Sequence, residues 1–310
     1  MGGFCASMEL LCHINADEDL LDSWLAYYEA MGISAFHLIV HGSAEENRRL
    51  LDLRTKHSIL IRDVYEGEFR SEEKQRRINA VLPTLEGRWL LLVDSDEFVE
   101  LPYDTLAETT RMLDLLGADV LHAPLLQRLT VDGRINTPER IEDPFRTFPL
   151  CSVDLCGKMG VRACLDKYPL FWCRAESALY DGGNHHPPNG PDSRLSSLRG
   201  VTHHFKWRSA VLQRLDARVN SGHTWRHESM GYQQYLETVD YLLPLDGSFP
   251  YSREELFRRD LLKKAVWKDA MLPALKNHAR ALPAPARRVA RTFYHALQRT
   301  HRAAPQNSWE

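Results

Sequence analysis

RWLLLVDSDEF, residues 88–98, is the stretch on which the fold turns. Its apolar run has strand length and no polar interruption, which marks a strand buried on both faces. Three carboxylates follow at once: Asp94, Asp96 and Glu97. Ligands of open parallel sheets bind at the carboxyl ends of strands, so location and chemistry agree. Two carboxylates one residue apart can share a hard divalent cation, directly or through water, and leave positions open for phosphate oxygens. The plainer alternative is a charged turn that merely caps the strand.

Working outward, strand-like and helical patterns alternate. MELLCHI (8–14), AFHLIVHG (35–42), ILIRDVY (59–65) and ADVLHAPLL (118–126) read as strands. Between them lie helical patterns. In the first, Leu21, Trp24, Leu25, Tyr28 and Met31 recur at helical spacing before Gly32. EENRRLLDLRTK, SEEKQRRINAVLPTLEG and TLAETTRMLDLLG supply three more. Short links between alternating elements predict a mostly parallel sheet flanked by helices. From 127 to 205 the pattern dissolves: VDGR (131–134) reads as a turn, and NHHPPNGPDS (184–193) as a loop. Helices are expected again over 209–220, 230–243 and 252–272, with a last basic one near 284–302. A boundary near 245–249 divides a main domain, 1–245, from a helical extension, 246–310. Within the first, 1–125 carries the regular alternation and 126–245 the irregular part.

Composition narrows the classes. With 310 residues, the chain can bury a large core without disulfides or metal. Seven Trp, eleven Tyr and eleven Phe exclude disorder for most of it. No apolar run approaches the roughly 20 residues of a spanning helix. The N-terminus lacks a basic region ahead of its apolar stretch, so no signal peptide is expected and the expected location is cytoplasmic. Net charge is −3, which suits no nucleic-acid partner. From Ala270 onward, however, the only acid is Glu310, against Lys276, Arg280, Arg287, Arg288, Arg291, Arg299 and Arg302. That basic tail has two readings: peripheral contact with the inner face of an anionic membrane, or docking on its own domain. The six cysteines form no CxxC pair and match no zinc spacing; they read as small buried hydrophobes.

Several motifs together resemble the GT-A glycosyltransferases, in particular the family-2-like enzymes of a bacterial DxD subgroup. NADEDLLDSWLAYYEAMGI (15–33) is similar to the family opening, and EKQRRINAVL (73–82) to its Arg/Lys-Asn helix. VDSDEF matches its DxD, while GKMGVR (157–162), NHH (184–186) and HHFKW (203–207) resemble later landmarks. HGSAEEN (41–47) departs from the family's Asp-Ser-Ser-x-Asp turn. The resemblance covers 1–125 densely, 126–245 in islands, and nothing beyond; it implies that 1–125 is the nucleotide-sugar-binding half and 126–245 the acceptor-side half.

It implies a GT-A fold, Rossmann-like, with a mostly parallel central sheet and a C-terminal helical extension. It also implies transfer of a sugar from a UDP- or GDP-linked donor to a carbohydrate or lipid-linked acceptor, with inversion. Mn²⁺ or Mg²⁺ would offset the charge of the leaving diphosphate. By family position Asp96 would ligate the metal directly, with Asp94 at the ribose or a metal-bound water and Glu97 orienting the turn. One late histidine, His203 or His204, would complete the set. Asp63, Lys74, Arg77, Asn79 and Lys206 are the further nucleotide-binding candidates, although helical spacing lets at most two of Lys74, Arg77 and Asn79 face the ligand. Candidates for the base are Asp143, Glu176, Asp181, His185 and His186, and the DGGNHH loop (181–186) is preferred. Two other classes stay open: a metal-dependent nucleotidyl- or phosphotransferase, and a non-catalytic nucleotide binder. No GxxxxGK[ST] or GxGxxG is present, so phosphate must be held by side chains and metal.

Overall fold

The computed structural model describes residues 8–15, 18–54, 56–135, 137–220, 226–259 and 261–262. Its first half runs β1 (Glu9–Ile14), α1 (Leu21–Met31), β2 (Ala35–His41), α2 (Arg48–Leu53), β3 (Ile59–Tyr65), α3 (Ser71–Val81), β4 (Arg88–Asp94), β5 (Glu97–Glu100), α4 (Leu106–Leu116) and β6 (Val120–His122). The second half runs β7 (Leu125–Leu129), α5 (Pro144–Thr147), β8 (Leu150–Ser152), α6 (Leu155–Lys158), β9 (Leu170–Cys173), β10 (Leu195–Arg199), β11 (Val201–His204), α7 (Ala210–Asn220), α8 (Arg226–Thr238), β12 (Phe249–Pro250) and α9 (Arg253–Arg258).

A seven-stranded sheet has the order β10-β6-β9-β4-β1-β2-β3. Its strands pair in parallel except β9, which lies antiparallel between β4 and β6. The expected mostly parallel α/β sheet is therefore present. Alternation along the apolar strands sorts their side chains onto two faces. Leu10, Cys12, Leu91 and Val93 pack with Trp24 and Tyr28 of α1. Leu11, Leu90 and Leu92 pack with Ile78 and Val81 of α3 on the other side. Both faces being covered is why these runs lack polar interruptions.

The strand expected over 88–98 is in fact two. β4 ends at Asp94, the chain turns through Ser95 and Asp96, and β5 enters a second sheet of order β12-β8-β7-β11-β5. The acidic turn is thus the corner between two sheets. Helix α1 pins its exit: the Tyr28 hydroxyl donates to the Glu97 carbonyl at 2.9 Å and accepts from the Val99 amide at 3.1 Å. Tyr27 donates to the Val99 carbonyl at 2.9 Å.

Of the helix expected over 252–272, α9 covers Arg253–Arg258, while 260 and 263–272 lie outside the described residues. The first part of the expected extension is tied to the second sheet: β12 pairs with β8, and Leu256 is buried with Leu126 and Val201. The basic stretch 284–302 lies outside the described residues. Among the described residues no helix is long and apolar enough to cross a membrane.

Candidate active site

β4 carries Asp94 to the floor of a cavity of about 340 Å³, bounded by the acidic turn, the 182–185 loop, the end of β11 and helices α7 and α8. Asp94 is clasped by two ammonium groups. Lys74 of α3 reaches one carboxylate oxygen at 2.5 Å, and Lys167 lies 3.7 Å from the other. Lys167 also binds Glu97 at 2.6 Å and donates to the Gly183 carbonyl. Burial alone would raise the Asp94 carboxyl, but the Lys74 and Lys167 charges outweigh it and bring it down to about 2. Glu97, almost fully buried, moves the other way: burial, aided by the Asp94 charge, outweighs Lys167 and raises its carboxyl. Its second oxygen accepts the Asp94 amide at 3.2 Å, so Glu97 orients the turn.

Asp96 points into the same cavity, 3.5 Å from Nε2 of His204. Its backbone carbonyl accepts the Phe205 amide at 2.8 Å, which fixes the turn to the end of β11. Burial opposes ionisation of Asp96, yet His204 and then Arg208 hold its carboxyl well below the ordinary range. His203 faces away, because consecutive strand residues point to opposite sides. It is wholly buried, 3.4 Å from Glu100 and edge-on to Tyr251, and burial brings its imidazole down to about 4. Of the two late histidines, only His204 lines the cavity; His203 as a metal ligand is corrected by that alternation.

The expected nucleotide-binding set divides similarly. Lys74 and Lys206 line the cavity; Asp63, Arg77 and Asn79 do not. Helical spacing places Lys74, Ile78 and Val81 on the buried face of α3. Arg77 instead lies 3.8 Å over the Tyr65 ring and bridges Asp63 and Glu73. Asn79 exchanges two hydrogen bonds with the Leu179 backbone, donating at 3.0 Å and accepting at 2.6 Å. It therefore anchors the segment that leads into the DGGNHH loop.

In that loop Asp181 is a turn-former: its carboxylate accepts the amides of Gly183 at 2.6 Å and His185 at 3.2 Å. His186 is exposed, and Asp143 caps α5 through the Arg146 amide at 3.0 Å. Glu176 is exposed beside Arg174. His185 alone of the five base candidates lines the cavity. Its Nδ1 lies 2.8 Å from the Asp166 carbonyl. A carbonyl only accepts, so Nδ1 carries the proton and Nε2 the lone pair. Burial, then the Lys167 charge, brings the imidazole down to about 4. A Cβ on Gly183 would come within 2.3 Å of that Nε2, so only glycine leaves the ring its place.

Among the described residues, no group of three or more His, Cys, Asp or Glu side chains could hold a metal ion. Asp94 is occupied by two lysines. Asp96 and His204 remain, facing the cavity as a carboxylate–imidazole pair. Two protein donors suit a cation that keeps its other positions for phosphate oxygens and water. The residues fit such a group at Asp96 and His204, but not at Asp94 or His203.

Sequence reasoning missed Lys167, which sits in an irregular stretch with no local signal. It also missed Arg214 and Arg218, although a signal existed: 211, 214, 215 and 218 form one helical stripe, and two of its members are arginine.

No protein-family model matches the chain, and no curated protein matches it. Among solved structures, residues 1–349 of S. aureus TarS in complex with UDP-GlcNAc align at 14% identity and a TM-score of 0.38, over 89% of this chain and 82% of that one. The same fragment with UDP aligns at 14% identity and 0.34, over 98% and 94%. HddC from Yersinia pseudotuberculosis, complexed with GMP-PN, aligns at 11% identity and 0.26, over 40% and 60%.

Proposed function

We propose that this chain is a glycosyltransferase that moves a sugar from a nucleotide-sugar donor to an acceptor hydroxyl. The observation that carries the reading is the acidic turn at the carboxyl end of β4, opening on a cavity that six lysine and arginine side chains also line. In the reaction, the bond from the sugar anomeric carbon to the β-phosphate oxygen breaks and its electron pair stays with the nucleoside diphosphate. The acceptor oxygen forms the new bond to that carbon and gives up its proton. His185 supports the role of general base, because the Nδ1–carbonyl bond leaves the lone pair on Nε2 and the residue lines the cavity. Single displacement by a base on this side inverts the anomeric centre.

Asp96 and His204 would hold Mn²⁺ or Mg²⁺, which when bound offsets the charge developing on the diphosphate. Asp94, clasped by Lys74 and Lys167, holds the floor of the site in one geometry. A UDP- or GDP-linked donor and a carbohydrate or lipid-linked acceptor are the partners this chemistry takes.

Incubation with a panel of nucleotide-sugars, with and without Mn²⁺, tests the reading through release of nucleoside diphosphate. Release with at least one donor, abolished in Asp96→Ala, is expected, and NMR of the product should show the inverted anomer. Release of sugar 1-phosphate or nucleoside monophosphate instead would transfer the site to the nucleotidyl- or phosphotransferases.

A further inference from the structure

Helix α7 closes the cavity with a face of unusual composition. Val211 and Leu215 of its inner stripe are buried, as an amphipathic helix requires. Arg214 and Arg218 occupy the same stripe and line the cavity, where apolar side chains would serve the packing better. Beside them, the Lys206 ammonium sits 4.1 Å over the Tyr232 ring. Among the described residues six cationic side chains line the cavity against four carboxylates. The excess over the carboxylates is two positive charges.

We propose that Arg214 and Arg218, backed by Lys206, form a clamp for the diphosphate of the donor and take up the charge that develops on it as the sugar leaves, without needing a metal to bind it. This rests on the glycosyltransferase reading and assigns the residues that hold its leaving group. Guanidinium groups one helical turn apart present parallel forks to neighbouring phosphates, a geometry a single ammonium cannot give. Mutual crowding points the same way. Burial and then the Arg214 charge bring the Arg218 guanidinium below its ordinary value. A bound anion relieves that crowding. The clamp also has a direction. The Arg218 guanidinium lies 5.5 Å over the Phe69 ring, so it spans from the acidic turn toward the aromatic group after β3, where the nucleoside end would lie.

Calorimetric titration of the full-length protein with UDP, GDP and inorganic pyrophosphate, in EDTA and in Mn²⁺, tests the clamp. The variants are R214Q, R218Q, R214K and R218K, with R134Q, an exposed arginine elsewhere, as control. Wild type should bind one of the nucleoside diphosphates in EDTA. R214Q and R218Q should each weaken it by about tenfold or more in EDTA and in Mn²⁺ alike, the lysine variants less, and R134Q not at all. Weakening of pyrophosphate binding in parallel assigns the loss to the phosphates rather than the nucleoside. If wild type binds a diphosphate only when Mn²⁺ is present, or if the glutamine variants bind it as wild type does, the clamp is wrong while the glycosyltransferase reading stands. If wild type binds no nucleoside diphosphate under either condition, that reading itself fails. Should a glutamine variant not fold, the folded lysine variant decides: unchanged affinity there overturns the clamp.

Discussion

Lys167→Met isolates the ion network beneath the acidic turn. Methionine keeps the length of the side chain but removes the charge that reaches Glu97 at 2.6 Å and Asp94 at 3.7 Å. Glu97 is only 2% exposed and would be left as a buried carboxylate beside a second one. Removing one partner of a buried pair destabilises by about 3–5 kcal/mol, which is the expected loss at pH 8 in urea titration. The pH dependence follows from proton linkage. Glu97 already titrates above its ordinary value, and loss of Lys167 raises it further. A carboxyl raised in the folded state binds protons more tightly there than when unfolded. Its favourable contribution is present in acid and is lost as pH rises from about 4.3 through the folded value. The variant should therefore regain stability at pH 5 relative to pH 8. Pairing it with Glu97→Gln removes the stranded charge and should recover about 2 kcal/mol, since replacing both partners of a buried pair is often close to neutral. A loss below about 1 kcal/mol, or no recovery in the double variant, would refute this account of the network.

Four further outcomes follow from the geometry. His185→Gln should lower kcat by about 10²- to 10⁴-fold while nucleoside diphosphate affinity is kept, as a titration alongside the kinetics would show. In the wild type, kcat/KM should fall as pH drops through about 4, where His185 gains its proton; Lys167→Met should move that limb upward, because the Lys167 charge helps hold the value down. Gly183→Ala should abolish activity with near-native circular dichroism, since its Cβ meets the His185 ring. Asn79→Ala should cost about 1–3 kcal/mol in denaturant titration and raise amide exchange across 179–186, through loss of both bonds to Leu179.

The apolar run 89–93 and the stripe Leu21, Trp24, Leu25 and Tyr28 made the central sheet legible, because burial on both faces of a strand, or on one face of a helix, leaves a periodic trace. Asp94 and Asp96 were legible for the same reason: they end such a run. The split of 88–98 between two sheets was not, since an apolar strand reads alike in either. Nor could period two say which of His203 and His204 turns inward; pairing with β5 and β7 decides that. Strand β9 enters between β4 and β6 from a distant part of the chain, and it draws Lys167 beneath the turn. Long-range pairing of that kind leaves no local pattern. Asn79 and Arg77 carried the right chemistry for a nucleotide site, but helix phase turns both toward the protein's own backbone and side chains.

Isotope labelling reads directly which bond of the donor breaks. Donor hydrolysed slowly by the wild-type protein in ¹⁸O-water, without acceptor, should place the label on the anomeric carbon of the released sugar and none on the nucleoside diphosphate. Label on a phosphate would mean cleavage between phosphorus and oxygen, and would contradict glycosyl transfer at this site.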